Sequence, residues 1–299
     1  MFRPMLSPRE SPGTYKHYFE RLRYPLLCSA KYDGIRCIVK GNEAVSRTLK
    51  QLPSIQVQDE FTHYNHTDGE IIVGNPTDFG VYNRTQSYVM SEDKFIDDLH
   101  YYVFDYCHPD WLQRPFFERH EKAQEIIKDA AENYHLVPHE LVYDETELLA
   151  FEAKCLELGF EGIMMRDPLG PYKCNRGTFT EGWIYKLKRF EDAEGILVDV
   201  LEGKTNNNTK EVDERGYAKR SFVMDNLADS GMSGTLIVEW QSQFLDVAPG
   251  NLTHAERKHI LRNKDKYLGQ LLKFKFMRHG MKDKPRFIRA VGFRNRIDI

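Results

Sequence analysis

The stretch Lys31-Tyr32-Asp33-Gly34-Ile35-Arg36 combines side chains that could act together on a phosphorus atom. Lys31 is a candidate nucleophile, with the carboxylate of Asp33 two residues away and the guanidinium of Arg36 five residues away. Gly34 lets the backbone turn close to a ligand. A pattern this short also occurs by chance, so its meaning depends on partners further along the chain.

Composition predicts a globular protein. The chain has 299 residues, of which 41% are hydrophobic and 29% charged, enough for a sizeable core and for two domains. No apolar run approaches the roughly 20 residues of a membrane helix, and the N-terminal residues lack a signal-peptide core. We therefore expect a soluble cytoplasmic protein with no membrane partner. The five cysteines are scattered and contain no C-x-x-C pair, so we expect reduced thiols rather than disulfides or a structural zinc site.

Charge is distributed unevenly along the chain. Residues 251–299 contain 14 Lys and Arg against 4 Asp and Glu, a net charge of +10, although the whole chain carries −3. The first 250 residues therefore carry −13. A basic end on an acidic body is expected where one module meets a polyanion, and a solvated basic face without a partner is the alternative.

The first 190 residues mix predicted strands with predicted helices. Short apolar runs bounded by turn or polar residues indicate the strands. Asp144 is the candidate N-cap of the second helix and Gly159 its C-terminal stop. The predicted strands are 25–30, 36–40, 69–73 and 101–107, and the predicted helices are 116–134 and 145–158.

From Ala193 onward the sequence favours strands, interrupted by one short helix that begins at Thr253, where Glu256 completes a capping box. Several strands and one helix in about 105 residues suit a small Greek-key β-barrel of the OB type. We expect the domain boundary at residues 190–194. The predicted strands of this part are 195–201, 234–240, 271–277 and 285–291.

Residues 203–233, between the first two of these strands, are rich in Asn, Asp, Lys and Gly. A loop of about 30 residues is usually functional or disordered, so we expect this one to be mobile until it contacts nucleic acid. Gly203-Lys204-Thr205 is similar to the end of a phosphate-binding P-loop. That motif requires a glycine where Val198 stands, so we set it aside.

Five further motifs follow Lys31 in an order and spacing that strengthen one another. With them, the chain resembles the covalent nucleotidyltransferase superfamily, and within it the minimal two-domain ATP-dependent DNA ligases of bacteriophages, viruses and some bacteria. The resemblance covers almost the whole chain. The motifs are Ser46-Arg47, Asp68-Gly69-Glu70, Tyr102-Val103-Phe104-Asp105, Glu161-Gly162-Ile163-Met164-Met165-Arg166 and Lys186-Leu187-Lys188.

This resemblance implies an α+β fold in two domains. Residues 1–190 would form a nucleotidyltransferase (adenylyltransferase) domain of ATP-grasp-like antiparallel sheets with helices, and residues 191–299 an OB-fold domain. It also implies a monomer that uses ATP and Mg²⁺, or Mn²⁺ in its place. The enzyme would seal 5′-phosphate/3′-hydroxyl nicks in duplex DNA during replication, repair or recombination. Duplex binding would rest on phosphate contacts and weaken steeply with salt.

The resemblance makes Lys31 the nucleophile that captures AMP from ATP and expels pyrophosphate. A lysine with the ordinary pKa of about 10.4 is neutral in only about one molecule in 2,500 at pH 7, a penalty of roughly 4.6 kcal/mol. Lys186, Lys188, Arg36 and bound Mg²⁺ are expected to lower the pKa of Lys31, because nearby positive charge disfavours a second ammonium. The same cations would stabilise charge on the α-phosphate. Asp33 would raise that pKa.

The resemblance assigns roles to four further residues. Glu70 would contact the ribose or a metal-bound water, and Glu161 would help to hold the divalent ion, since carboxylates and phosphate oxygens are the usual Mg²⁺ ligands. Phe104 would stack on the adenine, and Arg47 would contact the nicked strand. Without the other motifs, Phe104 would be interpreted as a core aromatic residue and the charged residues as solvated side chains.

The basic C-terminal barrel would clamp the duplex. The family's last motif commonly reads Arg-x-Asp-Lys and orients the pyrophosphate leaving group. Arg296 and Asp298 align with it here, but the lysine is missing, so the arginine that serves adenylation stays open. The candidates, which are also the candidate DNA contacts of this domain, are Arg286, Arg289, Arg294 and Arg296.

Three other functions stay open from the sequence. An mRNA-capping guanylyltransferase shares the K-x-D-G-x-R lysine, although Tyr185-Lys186-Leu187-Lys188 resembles ligases more. RNA ligases usually lack the arginine that stands at Arg36. A catalytically silent nucleic-acid-binding OB-fold protein is the alternative from a different class, although none of the motifs looks eroded.

Overall fold

The computed structural model describes residues 2–9, 16–281 and 283–294. The chain divides into two compact units, Met1–Arg189 and Phe190–Ile299. Within the described ranges, no helix is long and apolar enough to cross a membrane. All five cysteines are free thiols, and four of them are buried.

The first unit alternates strands with helices and contains two sheets. One sheet has the order β7-β1-β8-β9 and the other the order β3-β2-β4-β5-β6; their pairings are antiparallel except that of β5 with β6. Its elements are β1 (Leu26–Ala30), β2 (Ile35–Lys40), β3 (Glu43–Val45), α1 (Ile55–Phe61), β4 (Thr67–Val73), α2 (Val81–Val89), β5 (Leu99–Tyr106), α3 (Phe116–Ile127), β6 (Tyr134–Leu136), β7 (Glu140–Val142), α4 (Glu145–Glu157), β8 (Gly162–Arg166) and β9 (Ile184–Lys188).

Each sheet of this unit carries its own apolar core. In the five-stranded sheet, alternate residues such as Ile71 and Val73 pack with Phe61 of α1, because successive strand side chains point to opposite faces. In the four-stranded sheet, Ile163 packs with Leu148 of α4. Burying a side chain of this size contributes about 1.5–3 kcal/mol. The residues that alternate with these along each strand, including those of the charged motifs, therefore lie on the opposite face of each sheet.

The structure confirms the predicted ends of helix α4. The Asp144 side chain accepts a hydrogen bond from the Glu147 backbone at 2.9 Å, and Gly159 adopts a φ of +98° after the last turn. The prediction of a helix over 116–134 was wrong at its end, since α3 stops at Ile127. Tyr134 instead pairs with Tyr101 as part of β6, because sheet pairing outweighs helix propensity there.

In its described residues, the second unit contains a five-stranded sheet of order β14-β13-β10-β15-β16, a separate two-stranded hairpin and two α-helices. Helix α5 begins with the predicted capping box, in which Glu256 donates its backbone N–H to Thr253 Oγ1 at 3.2 Å and accepts from the Thr253 backbone at 2.6 Å. The elements are β10 (Glu191–Asn206), β11 (Lys210–Val212), β12 (Ala218–Arg220), β13 (Leu227–Trp240), β14 (Gln243–Val247), α5 (His254–Arg262), α6 (Lys264–Tyr267), β15 (Leu271–Met277) and β16 (Arg286–Phe293).

The five-stranded sheet is not closed into a barrel by continuous strand pairing. An isolated parallel bridge joins Ala248, just after β14, to Arg289 of β16. Pro249 follows directly and has no N–H to extend a ladder, which limits the pairing at this point. The closed OB barrel expected from the sequence therefore stays a prediction.

The expectation of an irregular loop over residues 203–233 was wrong. Strand β10 continues to Asn206, β13 already begins at Leu227, and the β11–β12 hairpin lies between them. Lys204 pairs with Asp229 across the extended ladder at 2.5 Å. Because most side chains on this arm are exposed, its strands lack the apolar alternation from which a strand is predicted.

Candidate active site

Lys31 follows β1 and lies where the four-stranded sheet positions two other charged side chains. Its backbone N–H donates to the Gly162 carbonyl at 2.8 Å, which fixes it beside the start of β8. Its Nζ forms an ion pair with Glu161 Oε2, and Lys188 Nζ lies 3.2 Å from Glu161 Oε1. The pairing of Gly162 with Lys188 brings Lys188 to this carboxylate. Glu161 thus bridges two ammonium groups.

Two glycines allow this close packing of strands. A Cβ atom at Gly162 would lie 2.2 Å from the Leu187 carbonyl oxygen, and its φ of +149° is one that other residues rarely adopt. A Cβ atom at Gly34 would lie 2.1 Å from the Ile71 carbonyl oxygen. The glycines of the Lys31 and Glu161 motifs are therefore required by the approach of neighbouring backbone.

The charges around Lys31 raise the pKa of its amine above the ordinary value. Burial lowers this pKa, but the carboxylates of Glu161, Glu70 and Asp33 outweigh that effect. Burial raises the pKa of Glu161, but the charges of Lys31 and Lys188 lower it by more, so its carboxyl stays ionised. The sequence had predicted a lowered pKa for Lys31. That prediction included a bound Mg²⁺; with the protein's own groups alone, the carboxylates around the amine raise the pKa instead.

Lys186 is the amine in the site whose pKa is lowered. Burial is the largest cause, followed by the positive charges of Lys188, Arg176 and Lys31, and together they lower the pKa of Lys186 to about 8. Its Nζ donates to the Pro8 carbonyl at 2.6 Å. The positive charges predicted from the sequence therefore lower the pKa of a lysine in this site, but that lysine is Lys186 and not Lys31.

Arg36 projects from β2 and is held by three of its nitrogens. Its Nε and one terminal nitrogen donate to the Asp68 carboxylate at 2.7 and 2.5 Å, and the other terminal nitrogen donates to the Met5 carbonyl at 3.1 Å. Burial lowers the pKa of Arg36, but Asp68 and nearby groups raise it by more, so the guanidinium stays charged. Asp68 is completely buried, which makes this bidentate pair a fixed feature of the site.

Glu70 is the acidic group of the site that accepts no hydrogen bond from the described part of the chain. It lies on β4 in register with Arg36 on one side and Tyr102 on the other. Burial raises its pKa to about 7, although Lys31 and Arg36 oppose the rise. Its carboxyl group is thus available to a ligand and changes charge near neutral pH.

The remaining predicted residues of the first unit differ in their surroundings. Phe104 on β5 has the Arg36 guanidinium 5.0 Å and the Arg166 guanidinium 5.5 Å from its ring centre. Asp33 is buried near Lys31, whose pKa it raises. Arg47 is exposed in the turn after β3. The structure therefore places Phe104 against Arg36 and Asp33 near Lys31, whereas Arg47 is exposed.

The C-terminal arginines belong to the second unit. Arg289 lies over the Phe190 ring at 5.5 Å, and Arg294 Nε donates to Glu194 at 2.5 Å. Arg286 donates to the His279 carbonyl at 3.4 Å. Arg296, like the aligned Asp298, lies outside the described residues.

Several groups that shape the site were missed by reasoning from the sequence. Asp68 stood within a quoted motif, but only the structure connects it to Arg36. The backbone carbonyls of Met5, Ser7 and Pro8 accept from site cations, and no side-chain pattern signals a carbonyl partner. Such contacts depend on chain topology, so spacing in the sequence does not reveal them.

A divalent cation would find a partial site here. Among the described residues, no group of three or more His, Cys, Asp or Glu side chains is arranged to hold a metal. Both Glu161 oxygens are occupied by lysines, whereas Glu70 is uncommitted. This fits an ion such as Mg²⁺, which is commonly bound by one or two carboxylates together with substrate phosphates rather than by a protein cage.

Comparison with known proteins gives a consistent result for the first unit. Residues 4–188 match the family model described as the ATP dependent DNA ligase domain. A DNA ligase of African swine fever virus, isolate Pig/Kenya/KEN-50/1950, is 29% identical over 204 residues, which cover 63% of this chain and 47% of that protein. With other isolates the share of the viral protein falls to 26%. The chain thus spans about a quarter to a half of the length of these curated relatives.

Solved structures resemble nearly the whole chain. The crystal structure of Chlorella virus DNA ligase-adenylate is 26% identical, with a TM-score of 0.55 and 98% of each chain covered. A structure from an analysis of Lig E DNA ligases has a TM-score of 0.73 at 20% identity and covers 98% of this chain and 100% of that one. At that identity the second likeness concerns the fold. The chain therefore has a nucleotidyltransferase-type ligase fold of mixed α/β content.

Proposed function

The chain belongs to the ATP-dependent DNA ligase domain family, and from this premise we propose that it seals nicks in duplex DNA with ATP. In the first step the Lys31 ammonium gives up a proton to solvent, and its Nζ then bonds to the α-phosphorus as the bond to pyrophosphate breaks and a second proton leaves Nζ for solvent. AMP is then transferred to the 5′-phosphate of the nick. Attack by the 3′-hydroxyl on that phosphate releases AMP and joins the strand.

The observation that carries this proposal is the meeting of Lys31 with Glu161 and Lys188 inside the segment that matches the family. Lys186, Lys188 and Arg36 supply positive charge for the α-phosphate as it becomes more negative. Fixed side chains of this kind stabilise a transition state because they need little reorganisation during the reaction. Glu70 is the group proposed to bind the ribose, and Phe104 to stack on the adenine.

We propose Glu70 and Glu161 as the protein ligands of Mg²⁺, or of Mn²⁺ in its place. The bound ion would neutralise negative charge on the phosphates. Asp33, buried beside these residues, adds a third negative charge to the region. Excess negative charge around Lys31 supports the binding of a cation together with the nucleotide.

We propose the two units as two domains, an adenylyltransferase domain over residues 1–190 and an OB-fold domain over residues 191–299. The open five-stranded sheet, together with the bridge between Ala248 and Arg289, supports the OB assignment. The basic residues of the second domain, including Arg286, Arg289, Arg294 and Arg296, are its proposed DNA contacts, and Arg47 that of the first. The enzyme would act as a monomer, and the use of ATP supports a cytoplasmic location.

The test is covalent labelling with α-labelled ATP and Mg²⁺, followed by denaturation. We expect acid-labile label on the wild-type protein and none on Lys31→Ala, because the phosphoramidate forms on that amine. Lys154→Ala, which alters an exposed lysine on α4, is the matched control and should label as the wild type does. Equal labelling of Lys31→Ala and the wild type would contradict the proposed nucleophile.

Three measurements separate the alternatives: covalent labelling, nick sealing and nucleic-acid binding. Labelling by GTP and not by ATP would indicate a capping guanylyltransferase, and faster sealing of nicked RNA than of nicked DNA would indicate an RNA ligase. Nucleic-acid binding without label from any nucleotide would indicate a binding protein. Each of these outcomes rejects the proposed ligase activity for a different reason.

A further inference from the structure

The hydroxyl of Tyr172 lies among the buried groups that bind the Arg36 guanidinium. It donates to Asp68 Oδ2 at 2.7 Å and accepts from the Met5 backbone N–H at 3.1 Å. Asp68 and the Met5 carbonyl are the two groups that bind the Arg36 guanidinium. One hydroxyl thus connects both of the supports that hold this cation.

The position of this tyrosine is fixed by packing. Its side chain is 1% exposed and belongs to the apolar cluster that contains Met5 and Ile38. Phe2 stacks on its ring with centroids 5.9 Å apart, and the Arg119 guanidinium lies 5.7 Å from the ring centre. Burial, followed by the charge of Asp68, raises the pKa of Tyr172 well above its ordinary value. The hydroxyl therefore keeps its proton and remains a donor.

We propose that Tyr172 is a positioning residue for nucleotide binding, acting on Arg36 through Asp68 and Met5. The inference rests on the proposed function, in which Arg36 binds the nucleotide phosphates. A bidentate arginine–carboxylate pair is directional, so a shift of the carboxylate turns the guanidinium with it. Small misplacements of a binding group are costly because reactivity depends on orientation.

Removing the hydroxyl would disturb both supports at once. Asp68 would lose one of three donors while staying fully buried, and the Met5 N–H would lose its acceptor. A hydrogen bond to a charged group corresponds to a factor of about ten to a hundred in an equilibrium constant. Tyr172→Phe keeps the ring and its packing, so the loss should appear in ligand binding more than in folding.

The experiment measures the rate of lysyl-AMP formation in single turnovers at a series of ATP concentrations. We expect Tyr172→Phe to lower the rate at limiting ATP about tenfold, with a smaller change at saturating ATP. Tyr134→Phe is the matched control, because Tyr134 is a partly buried tyrosine whose hydroxyl donates to the Glu60 carbonyl at 2.8 Å in a different core. It should leave both rates unchanged. Thermal unfolding of both variants reports on the fold.

A double-mutant cycle distinguishes positioning from a general structural role. In an Arg36→Ala background, Tyr172→Phe should cause no further loss at limiting ATP, because the group through which it acts is gone. Asp68→Asn is the second variant, expected to show the same defect and the same dependence on Arg36 if Tyr172→Phe folds poorly.

Two results would overturn this inference. One is a Tyr172→Phe protein that labels like Tyr134→Phe, and the other is an equal loss with and without Arg36. A wild-type protein that takes no label from ATP would instead reject the proposed function, which keeps the two failures apart.

Discussion

The Glu161 carboxylate keeps the amine of Lys31 in its charged form. It is the strongest of the attractive charges around that amine, and together with Glu70 and Asp33 it outweighs the effect of burial. A charged amine has no lone pair with which to attack phosphorus. The structure therefore shows the proposed nucleophile as one half of an ion pair, and the proposed reaction requires the charges around it to change when substrate binds.

Removing the negative charge of Glu161 should lower the pKa of Lys31. In Glu161→Gln the burial of the amine and the charge of Lys188 remain, so a larger fraction of Lys31 is neutral at pH 8. We expect faster modification of Lys31 by an amine-specific acylating reagent in the absence of nucleotide and metal, measured by mass spectrometry of the peptide. Glu157→Gln, an exposed change on α4, is the control. A Lys31 that reacts equally slowly in both variants contradicts the ion-pair explanation.

His139 should make the protein sensitive to acid. Burial lowers its pKa from the ordinary value of 6.5 to about 3, with smaller contributions from His120 and Arg166, while the Val137 carbonyl and Asp105 oppose the fall. The unfolded chain binds a proton below pH 6.5 and the folded chain does not. The contribution of neutral His139 is therefore complete above pH 6.5 and is lost as the pH falls towards 3, by at most about 1.4 kcal/mol per pH unit.

The measurement is urea unfolding between pH 7 and pH 4. His139→Gln should show a shallower loss of unfolding free energy over this range than the wild type, whatever its stability at pH 7. His63→Gln, which changes an exposed histidine, should keep the wild-type slope. An unchanged slope in His139→Gln would show that other groups cause the acid sensitivity.

At the scale of residues, the sequence predicted which chemical groups meet but not their charge states. The resemblance to the nucleotidyltransferase superfamily, carried by the order and spacing of the motifs, was enough to associate Lys31 with Glu161 and Lys188. The direction of the pKa of Lys31 depends on which charge is nearest, and that is a matter of ångströms. Tyr172 and its partner Asp68 lie 104 residues apart in the sequence, so no local pattern predicts their contact.

At the scale of elements, the N-terminal segment Phe2–Pro8 acts as part of the wall of the site. Leu6 forms a parallel bridge with Arg176, and its carbonyl accepts from Gly177 N–H at 2.8 Å. Carbonyls of this segment accept from Arg36, Arg176 and Lys186. Each of these bonds uses one donor and fixes the position of the cation that carries it.

Deleting residues 2–8 should therefore slow lysyl-AMP formation and lower the melting temperature, because Met5 is also part of an apolar cluster. A synthetic peptide with the sequence of residues 2–9, added in excess, should restore part of the labelling rate by pairing again beside Arg176. A peptide of scrambled sequence is the control. If the shortened protein labels as fast as the full chain, the segment has no role in the site.

Elements with a clear apolar pattern were predicted well, and elements defined by long-range pairing were not. Helix α4 had its N-cap and its terminal glycine in the sequence, and β15 had five apolar residues around two alternating lysines. The three-residue strand β6 exists because β5 offers it a partner, and the end of α3 moves accordingly. Residues 203–206 of β10 and 227–232 of β13 are mostly polar and are not buried, so this part of the two strands is stabilised by pairing and not by burial.

At the scale of the whole molecule, charge is divided between an acidic N-terminal part and a basic end. The net charge of +10 over residues 251–299 could be counted from the sequence, but the neighbours within that region could not. Sheet pairing now shows that Lys275 of β15 lies directly opposite Arg289 of β16. Asp192 of β10 stands opposite Lys275 on its other side, so the row contains one carboxylate between strands that carry two cations. We expect these two cations to contribute to the binding of a polyanion.

The double variant Lys275→Gln/Arg289→Gln should therefore weaken DNA binding with little change in stability. Losing two phosphate contacts should weaken binding of nicked duplex and reduce the slope of log K against log salt by about 1.8, since each neutralised phosphate contributes about 0.9. The lost attraction between Lys275 and Asp192 offsets the relieved repulsion between Lys275 and Arg289, so the free energy of unfolding should change little. Lys128→Gln, an exposed change after α3, should leave the slope unchanged. An unchanged slope in the double variant would exclude this pair of strands from the DNA interface, because a surface that binds phosphate through charge must lose salt dependence when its charges are removed.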